Sequence, residues 1–224
     1  MIKTFTKFIK IFLLKKNIVL TKPMVCTDRN MGTYLSGEVG DYVRIASLEL
    51  VAYEINRKML IGNIAELGVY KGDFAKMINK CFPDRKLYLL DTFQGFDERD
   101  VAIEKEKNYS TGEQIFSIKN IDLVLKKMAY PDNVIIKQGY FPESSIGLKE
   151  EFVFVNIDVD LYKPTYDGLN YFYPRLAKGG YIFVHDYNNR EYRGVKEAVQ
   201  KFCLENEVGY FPLCDPCGTA VILK

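Results

Sequence analysis

Two unbroken apolar runs, "FVFV" at 152–155 and "YIFV" at 181–184, limit this chain more than any other feature. A strand with one wet face alternates apolar and polar residues, whereas consecutive apolar residues mark a strand buried on both faces. That is the habit of parallel sheets covered by helices. Further strands are predicted by "NIAELGV" (63–69), "KLYLLDTF" (86–93) and "NVIIKQGY" (133–140), with "GTAVILK" (218–224) closing the chain. Helical patterns alternate with them in "GDFAKMINKCF" (72–82), "IFSIKNIDLVLKKMAY" (115–130), "PTYDGLNYFYPRL" (164–176) and "RGVKEAVQKFCLEN" (193–206). In the first of these, Phe74, Met77, Ile78 and Cys81 share one face. The expected fold is α/β and doubly wound, with a mostly parallel sheet, an antiparallel C-terminal strand and an N-terminal helical lid.

The expected division is a leader and lid over residues 1–60 and the α/β domain over 61–224. The lid ends in a helical pattern carrying Val43, Ile45, Leu48, Val51, Ala52 and Ile55. The leader, "MIKTFTKFIKIFLLKK", has "IFLL" as its longest lysine-free apolar run, too short to span a bilayer, so no transmembrane segment is expected. Such a basic apolar segment is expected to pack on its own domain or on a symmetry mate, the second case giving a homodimer. The polar stretch from Asp97 to Gln114 is expected to be a loop.

Thirty-one basic against 29 acidic residues leave a formal charge of +2, without the concentrated basic face that nucleic-acid recognition needs. Nucleic acid is therefore set aside. Five scattered cysteines make a poor disulfide framework and fit a reducing, cytoplasmic setting. The C-x-x-C spacing of Cys214 and Cys217 precedes a strand rather than opening a helix, and no second cysteine pair completes a zinc site. It is expected to be a turn with two incidental thiols.

In open α/β sheets ligands bind beyond the carboxyl ends of the strands, so the strand-ending residues are the ones to inspect. "ELGVYKGDFA" places Gly68 and Gly72 in a strand-to-helix loop, but with bulky Val69, Tyr70 and Lys71 between them. That spacing does not build a pyrophosphate cradle. Downstream, Asp91 ends a strand where an acid accepts hydrogen bonds from ribose hydroxyls, and the pair points to an adenosyl group. Asp158 and Asp160, two apart at the end of a buried strand, face the same way if the strand persists. His185 and Asp186 end what should be the neighbouring strand. Three carboxylates crowded in one crevice repel unless a cation neutralises them, which predicts a divalent metal among Asp158, Asp160, His185 and Asp186. Oxygen donors favour Mg2+; an imidazole moves the preference toward Mn2+ or another divalent ion.

The pieces "AELGVYKGDFA", "LLDTFQGF", "GYFPES", "IDVDLYKPTYDGLNYFYPRLAKGGYIFVHDY" and "CGTAVILK", in this order, resemble the macrocin O-methyltransferase type of sugar methyltransferases over most of residues 30–224. The resemblance implies methyl transfer from S-adenosylmethionine to a hydroxyl of a sugar-bearing small molecule, assisted by magnesium. Carried over by motif, Glu66, Gly68, Tyr70, Gly72, Asp91, Thr92, Phe93, Gln138, Gly139 and Tyr140 would surround the cofactor, with Asp91 on the ribose. Asp158 would be the general base, and Asp160 and Asp186 would hold the metal. The chain departs from the family at His185, where a second acid usually stands. The lid around Thr33, Tyr34 and Ser36 and the loop from Asp97 to Glu113 would set acceptor specificity. The rival readings are a D-x-D glycosyltransferase, which lacks a basic cluster for a diphosphate beyond Lys163, a nicotinamide dehydrogenase, which wants a tighter glycine fingerprint, and a non-catalytic S-adenosylmethionine-binding module.

Overall fold

Seven strands, β1 (Asn63–Leu67), β2 (Leu87–Asp91), β3 (Val134–Gln138), β4 (Phe152–Ile157), β5 (Leu176–Val184), β6 (Tyr210–Pro212) and β7 (Ala220–Leu223), form one sheet in the order β3-β2-β1-β4-β5-β7-β6. The first five are parallel, and β7 pairs antiparallel with both β5 and β6. The molecule is seen in a computed structural model that describes residues 41–113, 116–118 and 120–224. The leader, and with it Thr33, Tyr34 and Ser36, lies outside the described residues.

The apolar runs become the two central strands. All six residues of β4 are buried, and Phe154 and Phe183 meet edge to face across the β4–β5 pair with ring centroids 5.1 Å apart. Each fully buried Phe or Ile contributes about 1.5–3 kcal/mol relative to exposure, so these strands set the core. Among the described residues six α-helices flank the sheet: α1 (Tyr42–Arg57), α2 (Asp73–Cys81), α3 (Glu98–Glu106), α4 (Asp122–Leu125), α5 (Tyr162–Arg175) and α6 (Arg193–Glu205). In α1 the buried apolar residues Ile45, Leu48, Ala52 and Ile55 recur at helical spacing, and Asp41 caps the start by accepting from the Arg44 N–H at 3.0 Å. The compact unit begins at Asp41, so α1 belongs with the sheet.

The structure departs from the expected elements in three places. Among its described residues, the stretch 115–130 yields only the single turn of α4. Ser117 instead bridges Gln94, and the Ile118 N–H bonds to the Phe93 carbonyl, so tertiary pairing overrides the local pattern. The expected loop after Asp97 contains α3, capped by the Asp97 side chain on the Arg99 N–H. Its buried positions are the carboxylates Asp100 and Glu104, which carry no apolar signature. Finally, β4 stops at Ile157, before both aspartates, and Asp160 turns at φ 61°.

Reversal of strand order between β1 and β4 opens a crevice at their carboxyl ends. The two chains stay joined one step further, where the Asp158 N–H donates to the Leu67 carbonyl at 2.8 Å. There a Cβ on Gly68 would lie 2.0 Å from the Asp158 carbonyl oxygen, and Gly68 also sits at φ 85°. No side chain fits, because backbone meets backbone. Gly68→Ala should therefore destabilise the fold by well over about 1 kcal/mol, measured as a lower midpoint in urea unfolding; an unchanged midpoint would refute the close approach.

Candidate active site

A cavity of about 390 Å³ opens at this crevice, walled by the ends of β1, β2, β4 and β5. The glycine loop after β1 forms one wall, and Asp91 holds that loop in shape. One Asp91 oxygen accepts the Val69 and Tyr70 N–H groups at 2.6 and 2.8 Å, and the other accepts the Phe93 N–H at 2.6 Å. Three backbone bonds thus fall on this carboxylate, and the Thr92 hydroxyl lies 3.5 Å from its second oxygen. Tyr70 and Phe93 take left-handed backbone conformations, at φ 47° and 56°, and their N–H bonds to Asp91 steady these turns.

Seven of the ten residues expected around a cofactor line this cavity: Glu66, Gly68, Tyr70, Asp91, Thr92, Gly139 and Tyr140. The other three stand behind it. Gly72 starts α2 at φ 75°, with Val124 only 2.7 Å from where a Cβ would sit. Phe93 is buried, and exposed Gln138 donates to the Thr92 carbonyl at 3.4 Å. Asp158, Asp160, His185 and Asp186 line the cavity as well.

The four chemistry-bearing residues do converge. One oxygen from each of Asp158, Asp160 and Asp186 lies within 4.8 Å of the others. The cause is not strand alternation: Asp158 follows β4 directly, whereas the left-handed turn at Asp160 swings its carboxylate back. His185 enters because its N–H continues the ladder to the Ile157 carbonyl at 2.9 Å. Its Nδ1 then lies 2.7 Å from Asp186 and 3.1 Å from Asp158.

Two protein cations answer much of the negative charge. Arg44, on α1 and almost fully buried, reaches Asp158 at 2.8 Å and the Asn156 side-chain oxygen at 2.9 Å, with the Phe74 ring 3.8 Å beneath its guanidinium. Burial alone would raise Asp158, yet Arg44 and His185 more than offset it and hold the carboxyl below the usual range. Burial likewise opposes a charge on His185, but Asp158 and Asp186 bring it up to about 10, which keeps an imidazolium at neutral pH. Asp160 makes no ion pair among the described residues: burial, followed by the charges of Asp158 and Asp186, outweighs the charge of His185 and raises it well above the usual range. Arg44 gave no signal in the sequence, since a single arginine in an amphipathic helix ordinarily faces solvent.

Glu66 is buried, and burial followed by the charge of Asp158 raises it well above the carboxylate range. One oxygen accepts from Asn156 at 2.9 Å, while the other has no partner, as is true of Arg44 Nε. A buried polar atom without a partner costs about 1–3 kcal/mol, so both are suited to a ligand that supplies one. On the opposite wall, Tyr140 donates to Asp100 at 3.0 Å, and Arg99 lies 3.5 Å over the Tyr140 ring. Glu104, wholly buried, accepts the Tyr162 N–H at the start of α5 and the Ser110 hydroxyl.

The family model described as macrocin O-methyltransferase (TylF) matches residues 24–215. Mycinamicin III 3''-O-methyltransferase of Micromonospora griseorubida is 27% identical over 158 residues, 64% of this chain and 62% of that protein. The 8-demethyl-8-(2,3-dimethoxy-alpha-L-rhamnosyl)-tetracenomycin-C 4'-O-methyltransferase of Streptomyces olivaceus is 25% identical over 138 residues, 56% of this chain and 53% of that one. The chain thus spans between about half and three-fifths of these relatives' length. The crystal structure of the calicheamicin methyltransferase CalS11 shares the fold, with a TM-score of 0.67 at 17% identity over 98% of this chain and 91% of that one.

Burial raises Asp100 to about 6, only partly offset by the Tyr140 hydrogen bond. A carboxyl raised by folding stabilises the native state below its unfolded pKa, near 4, and that contribution is lost as pH climbs through 6. Unfolding free energy should fall by up to about 3 kcal/mol across this window. Asp100→Asn should flatten the slope in denaturant titrations at stepped pH; an unchanged slope would assign it to other groups.

Proposed function

The chain belongs to the macrocin O-methyltransferase family, and from that premise we propose that it moves a methyl group from S-adenosylmethionine to a hydroxyl of a sugar or glycosylated small molecule. The observation that carries this reading is the convergence of Asp158, Asp160 and Asp186 in the same cavity that the Gly68 loop and Asp91 line. Both relatives described above are named for methylating an oxygen, and one name specifies a rhamnosyl group. In this reading residues 61–224 are the catalytic domain, and α1, which belongs to the same compact unit, reaches the site through Arg44.

When bound, S-adenosylmethionine supplies an electrophilic methyl group on a sulfonium that leaves as a neutral thioether. The residues around the cavity fit it. Asp91, which lines the cavity, would accept from a ribose hydroxyl. The unpartnered Glu66 oxygen and Arg44 Nε suit the ammonium and carboxylate of its amino-acid end. Tyr70, Thr92, Gly139 and Tyr140 would enclose the nucleoside, with Gly72, Phe93 and Gln138 shaping the loops behind them. Holding acceptor and methyl carbon in line is worth several kcal/mol by itself.

Asp158 is the proposed proton acceptor for the sugar hydroxyl. Arg44 and His185 keep it ionised, the form that can take a proton, at some cost in basicity. Oxygens of Asp160 and Asp186 are the donor set that fits a divalent cation, which would supply positive charge to lower the hydroxyl pKa. With no metal bound, His185 Nδ1 meets two carboxylates and serves as their counter-charge.

Asp158→Asn should reduce turnover about 10²- to 10⁴-fold while calorimetry shows S-adenosylmethionine affinity changed by less than about threefold. Full turnover in this variant, with loss in Asp160→Asn, would move the proton acceptor to Asp160; normal turnover in both would defeat the reading.

A further inference from the structure

The C-x-x-C segment has a place in this site. The loop from Leu213 to Thr219 is tightly closed: the Leu213 N–H donates to the Thr219 carbonyl at 2.8 Å, and Gly218 to the Asp215 carbonyl at 3.1 Å. Both oxygens of buried Asp215 are taken by Thr219, through its N–H and its hydroxyl, each at 2.7 Å. The closed loop is pinned to the chain that leaves β5. Asn188 donates to the Cys217 carbonyl at 3.0 Å, and Tyr187 to the Gly218 carbonyl at 2.9 Å. These bonds hold the Cys217 thiol beside the Asp186 carboxylate, with one donor atom of each within 4.8 Å of the other. Exposed Cys214 points elsewhere and joins no such group among the described residues.

We propose that His185, Asp186 and Cys217 form a mixed nitrogen, oxygen and sulfur seat for a divalent transition metal of borderline softness, of which zinc is the type. This rests on the divalent-cation reading given above, keeps Asp186 as a donor and exchanges Asp160 for the softer donors His185 and Cys217. One donor atom from each residue lies within 4.8 Å of the other two, within the relaxation needed to close on one ion. Magnesium takes oxygen donors, whereas a thiolate and an imidazole select zinc, cobalt or iron. Asp41 and Asp215 supply an outer layer, with carboxylate oxygens and a His185 ring nitrogen mutually within 4.8 Å. An imidazole backed by a carboxylate is the usual support of a metal-bound histidine. On binding, the metal–sulfur bond replaces the S–H bond and the imidazolium gives up its proton, so both protons leave to solvent.

Cobalt is the probe, because thiolate ligation gives a sulfur-to-cobalt charge-transfer band in the near ultraviolet that oxygen ligands do not. The reduced full-length chain titrated with Co2+ should show that band. Cys217→Ser should abolish it and weaken Co2+ and Zn2+ binding at least about tenfold, whereas Cys214→Ser should retain both. Cobalt bound without the band, or a band surviving Cys217→Ser, overturns the mixed seat and leaves an ion held by oxygens alone. No divalent cation bound at all overturns the cation reading as well.

Discussion

Charge balance at the point where β1 and β4 part is the constraint on which the site depends. The sheet delivers three carboxylates to within 4.8 Å of one another in a partly buried crevice. Unanswered, they would raise one another and protonate. The answer comes from two directions, His185 at the end of β5 and Arg44 from a helix preceding the first strand. Both converge on Asp158, and they leave Asp160 as the carboxyl without an ion pair among the described residues. Asp160 is therefore raised while Asp158 and Asp186 are lowered, although the three share one pocket.

The same economy appears around the cavity, where buried acids do the work usually given to short polar caps. Asp91 gathers three backbone N–H groups and thereby holds the glycine loop. Glu104 receives the first N–H of α5, at whose start Leu161 offers no side-chain cap. Asp100 receives the Tyr140 hydroxyl. Acids so placed tie loops together from a distance in sequence, because a carboxylate accepts in several directions at once. The cost is that each must be desolvated, and Asp100 and Glu104 are both raised by burial as a result.

Much of the fold was legible before any coordinates. Long apolar runs such as Phe152–Val155 leave parallel, doubly covered strands as the economical choice, and the strand-ending acids name themselves by position. Where the reading failed, apolar period was the wrong instrument. The helix α3 turns carboxylates inward, and residues 117–118 follow a bridge to 93–94 that no local pattern encodes. Asp158 and Asp160 were expected to meet through strand alternation and meet through a left-handed turn instead.

The sequence by itself determined the sheet class, the glycine loop and the set of acids at the strand tips, because burial and strand length depend on neighbouring residues in the chain. Only the tertiary structure decided which cations answer those acids and which oxygens remain without partners. Arg44 and Asp158 stand 114 residues apart, and Cys217 reaches Asp186 through a closed loop. Electrostatic compensation depends on distance in space, and no period or spacing along the chain reports it.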